Sequence, residues 1–255
     1  MSEHPMFEES AVSVATRHSA DRIRLVLDGT LDSVTYLHVR DSVVKAALEE
    51  PAVVEVDVSR LCVPTTSAWT VFTSARWHVS TWPDVPVVLV CTDPLRRAAI
   101  TRTAIQRYVP VYPRSPGESE LVVARRSIRR RARAQLPPML SSLRQGRQLI
   151  SQWLQTWDRN DAGITAQTLA TILIENVLEH TTSAPTLQLE ATDSTVTVAV
   201  RDTSPRPAVR HEDPERGAHT VSGLAIVAAL SRAWGSHPMA DGKTVWALVG
   251  PESYL

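Results

Sequence analysis

The chain has 255 residues, of which 43% are hydrophobic and 21% charged, and its formal net charge is +0 at pH 7. These values are typical of a soluble globular protein with one large or two small domains, and they argue against extensive disorder. The N-terminus has no apolar core of signal-peptide length, and no later stretch approaches about 18 uninterrupted apolar residues. We therefore expect a cytoplasmic protein that neither enters the secretory route nor spans a membrane.

The first half of the chain alternates strand-like and helix-like segments. Apolar residues recur at helical spacing between Thr35 and Glu50, and Asp93-Pro94 is typical of a helix start. The predicted strands are 12–16, 23–27, 52–58, 85–91 and 109–112, and the predicted helices are 35–50, one beginning after Pro64 and one beginning after Asp93. Together these elements predict a compact α/β unit.

Two motifs in this half, L-D-G-T-L-D at 27–32 and V-V-E-V-D-V-S-R-L at 53–61, precede a hydroxyl-rich helix start. The series resembles the STAS domain of anti-sigma-factor antagonists over about residues 10–115. The resemblance implies a mixed sheet with helices and a phosphorylated Ser or Thr at that helix start. Thr66 and Ser67 are the candidate acceptors, although the family's flanking Asp and Gly are absent, and helix capping is the alternative role for these hydroxyls.

The two cysteines, Cys62 and Cys91, each stand in an apolar, strand-like context. This context predicts buried free thiols rather than a disulfide, which fits a reducing cytoplasm. The eight histidines show no metal-site spacing such as H-E-x-x-H. No structural metal is therefore expected.

An arginine-rich stretch separates the two halves of the chain. We predict a domain at 1–115, a basic linker or helix at 116–136 and a second domain at 137–255. The arginines concerned are Arg125, Arg126, Arg129, Arg130, Arg131 and Arg133. A solvated helix or linker face is one interpretation of this cluster, and nucleic-acid binding is another. Nucleic acid is not expected, because the cluster has no interleaved aromatic residues and no recognisable binding motif.

The second half begins with two amphipathic helices, predicted at 143–157 and 166–180, before any strand. Strands are then predicted at 187–191, 195–200 and 244–249, and an apolar helix at 223–234. The polar loop 203–220 is too long for a simple connector in a compact domain. Loops of this size commonly act as lids.

Three residues of this half have side chains or backbones suited to parts of a nucleotide. Asn176, within a helix, can offer a hard oxygen to Mg²⁺. Asp202, at a strand end, can accept a hydrogen bond from an exocyclic amine such as that of adenine. Gly223, at a helix start, allows backbone N–H groups to approach phosphate oxygens.

The motifs around these residues occur in a particular order, N-V-L-E-H, V-R-D-T-S-P-R-P, S-G-L-A-I-V and G-K-T-V-W. The series resembles the histidine-kinase-like ATPase domain of bacterial anti-sigma-factor serine kinases. This resemblance implies an α/β sandwich that binds ATP and Mg²⁺ beneath a lid at 203–222. On matching positions, Asn176 would coordinate Mg²⁺, Asp202 would bind adenine and Gly223 would contact phosphate. Gly217, in the lid, is a further candidate nucleotide contact.

The sequence departs from the family's catalytic pattern in the same helix. Ile172 stands where the family has the Glu that is its general base, and Ile cannot accept a proton. Glu175 is a weak substitute, because consecutive helix residues point about 100° apart. A second departure is Val221, where the family commonly has Gly. ATP binding is therefore better supported than ATP turnover.

The two resemblances together predict an ATP-binding, partner-switching regulator of transcription, a fusion of antagonist-like and anti-sigma-kinase-like domains. It could act as a Ser/Thr protein kinase; the alternative is a non-catalytic interaction scaffold with a degenerate nucleotide pocket. The implied partners are a sigma factor or an anti-sigma antagonist of the STAS type. An intramolecular contact between the two domains is a further expectation, and the kinase-like resemblance also implies homodimers.

Overall fold

The computed structural model describes residues 11–19, 21–117, 119–121, 129–204, 223–239 and 241–254. The chain divides into two compact units, residues 1–126 and 127–255. Each unit has one five-stranded sheet with helices packed on it, so the predicted α/β fold class is confirmed. No helix in the described part of the chain is both long enough and apolar enough to cross a bilayer.

The first unit is built on a mixed sheet in which β1 is the antiparallel edge and the other pairs are parallel. Its strands, in sheet order, are β1 (Val12–His18), β2 (Arg22–Thr30), β3 (Val53–Cys62), β4 (Val87–Val90) and β5 (Val111–Tyr112). Its helices are α1 (Tyr36–Leu48), α2 (Thr70–His78) and α3 (Pro94–Thr101), with short 3-10 turns at Thr66–Trp69 and Ala104–Arg107.

Local sequence explains these elements. Every residue of β4 is buried, as expected for a Val-rich strand inside a parallel sheet. Asp93 caps α3, because its Oδ1 accepts hydrogen bonds from the backbone N–H groups of Leu95 and Arg96 at 2.8 and 3.3 Å. The core lies between the sheet and α1 and α2, where Leu25, Val56 and Phe72 are almost fully buried.

The second unit is built on an antiparallel sheet with the strand order β6-β7-β8-β10-β9. The strands are β6 (Arg130–Gln135), β7 (Thr186–Ala191), β8 (Val196–Asp202), β9 (Ala233–Met239) and β10 (Gly242–Val249). The helices are α4 (Ser141–Thr156), α5 (Gly163–His180) and α6 (Gly223–Leu230). Alternate residues of β8 and β10, including Val198, Val200 and Val245, pack against α4 and α5.

Two predicted elements of this unit differ from the observed ones. Part of the predicted linker 116–136 is the edge strand β6, which pairs with β7 through Arg131↔Glu190. The helix predicted at 223–234 ends at Leu230, and β9 follows because it pairs with β10 along its whole length. Arg125 and Arg126 lie outside the described residues.

The cysteine prediction is half right. Cys91 is buried, but Cys62, the last residue of β3, is exposed. Both thiols are free.

Candidate nucleotide site

The start of α6 lies directly against α5. A Cβ built on Gly223 would come within 2.9 Å of Ile172 Cγ2 and 3.6 Å of Asn176 Oδ1. Carbon atoms normally pack at about 3.5–4.0 Å, so only a residue without a side chain fits here undistorted. Two of the predicted site residues, Asn176 and Gly223, are therefore neighbours.

Asn176 is half-buried, and no hydrogen bond among the described residues uses its carboxamide. Its oxygen faces the N-terminal end of α6, where backbone N–H groups are directed outwards. No group of three or more His, Cys, Asp or Glu side chains in the described part of the chain could hold a metal by itself. A single protein oxygen fits Mg²⁺ in a nucleotide complex, since Mg²⁺ is usually bound by one or two protein ligands together with phosphates and water.

An open cavity of about 480 Å³ lies where α5 and β8 end. Its lining is polar and consists of Glu179, His180, Thr181, Thr182, Ser183, Thr203 and Ser204. Asn176 is one turn before His180 and so shares its face of α5. The volume is within the range of small-molecule sites, about 300–1,000 Å³. The cavity therefore lies about one helical turn beyond Asn176, between the end of α5 and the end of β8.

Two wall segments of this cavity are joined by hydroxyl groups. Ser183 Oγ and Thr203 Oγ1 are 2.8 Å apart, and the Thr203 backbone N–H donates to Ser183 Oγ at 3.1 Å. These bonds fix the end of β8 to the segment that follows α5. A ligand in the cavity would meet hydroxyl donors and acceptors that are already positioned.

Asp202 is almost fully buried and already has a cationic partner. Lys243 Nζ lies 3.0 Å from both Oδ1 and Oδ2 of Asp202, and the Ser204 N–H donates to Oδ1 at 2.7 Å. Asp202 and Lys243 are directly opposite each other in the β8–β10 register, on the face that the helices cover. Lys243 is only 8% exposed, so the ammonium group is buried with the carboxylate.

Sequence reasoning did not identify Lys243 as part of the site. The Lys follows Gly242, whose φ of +146° and close approach to Asp202 O (1.9 Å for an added Cβ) require glycine. G-K at a strand start indicates a turn, but it does not indicate which residue lies across the sheet. Only the β8–β10 register shows that Lys243 lies opposite Asp202.

The resemblance would place a catalytic carboxylate at position 172, where this chain has Ile172. Ile172 packs against Gly223 and the core, and Glu175 is exposed. The carboxylate of α5 that lines the cavity is Glu179, which is three residues after Asn176 and so on the same side of the helix. On the Asn176 side of α5, the described carboxylate is therefore Glu179, one turn further along, and not a residue at position 172.

The lid lies almost entirely outside the described residues. Thr203 and Ser204 are its described part, whereas Gly217 and Val221 fall within 205–222. The predicted roles of the lid and of Gly217 in binding nucleotide remain predictions.

In the first unit, Thr66 and Ser67 are both exposed at the start of the short 3-10 helix. Thr65, at the cap position, makes no side-chain cap hydrogen bond. Within the described residues, no hydrogen bond uses the hydroxyls of Thr66 or Ser67 either. The capping interpretation therefore has no support in the hydrogen bonds, and the hydroxyls are open to solvent.

Two residues of the arginine cluster form ion pairs with the sheet of the second unit. Arg131 and Arg129 both pair with the buried carboxylate of Glu190, at 2.6 and 3.4 Å. Gln188 Nε2 also donates to Glu190 Oε1, at 2.9 Å. These contacts give the two arginines a role in holding β6 to β7.

No protein-family model matches the chain, and no curated protein is significantly similar to it. Solved structures that resemble part of it include an anti-sigma factor antagonist from Mycobacterium paratuberculosis, at 14% identity and a TM-score of 0.37, covering 45% of this chain and 94% of that one. The anti-sigma factor antagonist SpoIIAA in its unphosphorylated form matches at 12% identity and a TM-score of 0.33, covering 43% and 93%.

A third similar structure contains the RsbU and RsbW domains of a Mycobacterium tuberculosis protein. It matches at 17% identity and a TM-score of 0.36, and the match covers 48% of this chain and 32% of that chain. Similarities at this level say nothing about activity, ligands or partners.

Proposed function

We propose that the second unit binds a nucleoside triphosphate with Mg²⁺ beside the contact between α5 and α6. The observation that carries this proposal is the approach of Gly223 to Asn176, since a Cβ on Gly223 would lie 3.6 Å from the carboxamide Oδ1 at the start of α6. Backbone N–H groups at a helix start favour phosphate, and the carboxamide oxygen suits Mg²⁺. The adjoining 480 Å³ cavity provides room for the rest of the ligand.

In this proposal the chain is a partner-switching regulator of transcription that uses nucleotide to control protein contacts. The residues beside Asn176 favour binding over phosphoryl transfer, because Ile172 fills the position of a proton acceptor with a packed methyl group. The proposed partners are a sigma factor or an antagonist of the STAS type. Thr66 and Ser67, with exposed hydroxyls, are the proposed places at which phosphate would alter the first unit's surface.

Calorimetric titration of Mg-ATP into the full chain tests the nucleotide proposal. We expect saturable binding that weakens at least about tenfold in Asn176→Ala, since a metal or charge-assisted contact is lost. Asn160→Ala is the matched control, because Asn160 is exposed in the short 3-10 helix before α5. No binding at millimolar ATP, or equal loss in both variants, would contradict the proposal.

Transfer of radiolabelled phosphate tests the alternative of an active kinase. We expect no transfer from ATP to this chain, or to an added STAS-domain protein, that depends on Asn176. Label that appears on the chain and disappears in Asn176→Ala would show catalysis, and loss of that label in Thr66→Ala or Ser67→Ala would identify the acceptor.

A further inference from the structure

Lys243 contacts both carboxylate oxygens of Asp202, the buried residue expected to recognise the base of the nucleotide. An ionised Asp has about four lone-pair sites. Three contacts reach Asp202: the Ser204 N–H at 2.7 Å and the Lys243 ammonium at 3.0 Å from each oxygen. Little acceptor capacity is left for a further donor such as an exocyclic amine.

Displacement of the ammonium group would be unfavourable. The Lys243 side chain is 10% exposed and the Asp202 side chain 1%. Removing one member of a buried ion pair leaves an uncompensated charge in a medium of low polarity. A neutral amine that replaced Lys243 at the carboxylate would exchange a hydrogen bond between two charged groups for a weaker one in which only the acceptor is charged.

The position of Lys243 is also fixed by the backbone. Gly242, in a conformation with positive φ, brings the start of β10 against the Asp202 carbonyl, and the strand register then sets Lys243 directly opposite Asp202. The stem of the side chain cannot leave this face without breaking the β8–β10 pairing. The ion pair is therefore a built feature of the site and not a chance surface contact.

We infer that Lys243 is a specificity-determining residue that masks Asp202 and weakens recognition of 6-amino purines. This inference rests on the proposed nucleotide site and sets its base preference. The buried carboxylate is the group that would accept from the adenine amine, and the ammonium is a donor that the amine cannot satisfy. A purine with hydrogen in place of the 6-amino group has no N–H donor at this edge and gains no comparable advantage from unmasking Asp202.

The test is the affinity of the full chain for the Mg²⁺ complexes of ATP and of purine riboside triphosphate, in which hydrogen replaces the adenine amine. Lys243→Thr is expected to bind Mg-ATP at least about tenfold more tightly than the unchanged chain, the effect of one hydrogen bond to a charged acceptor. Its affinity for Mg-purine riboside triphosphate should change less than about threefold. Adding Asp202→Asn to Lys243→Thr should remove the gain.

Lys243→Met, which keeps the length of the apolar stem, serves as the second variant if Lys243→Thr does not fold by circular dichroism. A merely structural ion pair would give variants that lose stability and gain no affinity for ATP. Binding by the unchanged chain without tighter binding by either variant would overturn the inference and leave the nucleotide site intact. Absence of binding of both nucleotides in every form would overturn both proposals.

Discussion

Gly223→Ala is a sharp test of the contact between α5 and α6. The added methyl group would lie 2.9 Å from Ile172 Cγ2, about 0.6 Å or more inside normal carbon packing distances. Overpacking of this kind costs roughly 1–3 kcal/mol, and replacing a helical Gly by Ala returns about 0.5–1 kcal/mol. We therefore expect a net loss of about 1 kcal/mol in the free energy of unfolding.

Gly163→Ala is the matched control. Gly163 also begins a helix, but an added Cβ meets no atom within 4 Å there. The same substitution should therefore stabilise the chain by about 0.4–1 kcal/mol. The two variants should differ in sign, although the chemical change is identical.

Urea unfolding of the full chain, followed by circular dichroism and tryptophan fluorescence, measures both effects. Leu173→Ala, at a buried position of α5, identifies the transition that belongs to the second unit. Ile172→Ala should suppress the cost of Gly223→Ala, because it removes the Cγ2 methyl group. Equal stability changes in Gly223→Ala and Gly163→Ala, or no suppression by Ile172→Ala, would refute the close approach of α6 to Asn176.

Two further predictions concern groups outside the site. Burial raises the pKa of the Cys91 thiol, whereas Cys62 is exposed. A thiol reagent should therefore label one cysteine in the native chain, and Cys62→Ser, but not Cys91→Ser, should abolish that labelling. The hydrogen bonds from Arg232 lower the pKa of Glu252 to about 2 from 4.5, so the stabilisation it gives is present above pH 4.5 and lost as the pH falls through about 2. The difference in urea midpoint between the unchanged chain and Glu252→Gln should therefore decrease as the pH is lowered from 4.5 to about 2. It should also be smaller in high salt, which screens exposed charges. A difference that does not change with pH would contradict this prediction.

Elements with strong local signals were predictable from the sequence. The Val-rich sequences of β3 and β4 predict buried strands, and Asp93-Pro94 predicts the start of α3, which Asp93 caps in the structure. These features depend on the residues within a few positions, so no knowledge of the partner strand was needed.

The elements that were missed depend on pairing across the sheet. β6 alternates Arg with Ala, and its high charge did not indicate a strand, although its Arg131 pairs with the buried Glu190 of β7. β9 contains Gly235 and Pro238, which are unfavourable in strands yet tolerated here because β9 is an edge strand. In both cases the neighbouring strand decides the structure.

The candidate site divides in the same way. Asn176 and Gly223 were identified from local motifs, and their proximity follows from the packing of α6 on α5. The partner of Asp202 was not identified, because Lys243 is 41 residues away in the chain and meets it only through the strand register. A nucleotide site predicted from motifs thus lacked the residue that we infer sets its base preference.

The proposed nucleotide site lies near the contact between α5 and α6 and the end of β8. Hydrogen–deuterium exchange of the full chain with and without saturating Mg-ATP tests it most directly. We expect slower exchange in peptides covering 176–183, 202–204 and the first turn of α6, with exchange in α1 of the first unit unchanged. Unchanged exchange in those three segments, or protection confined to the first unit, would contradict it.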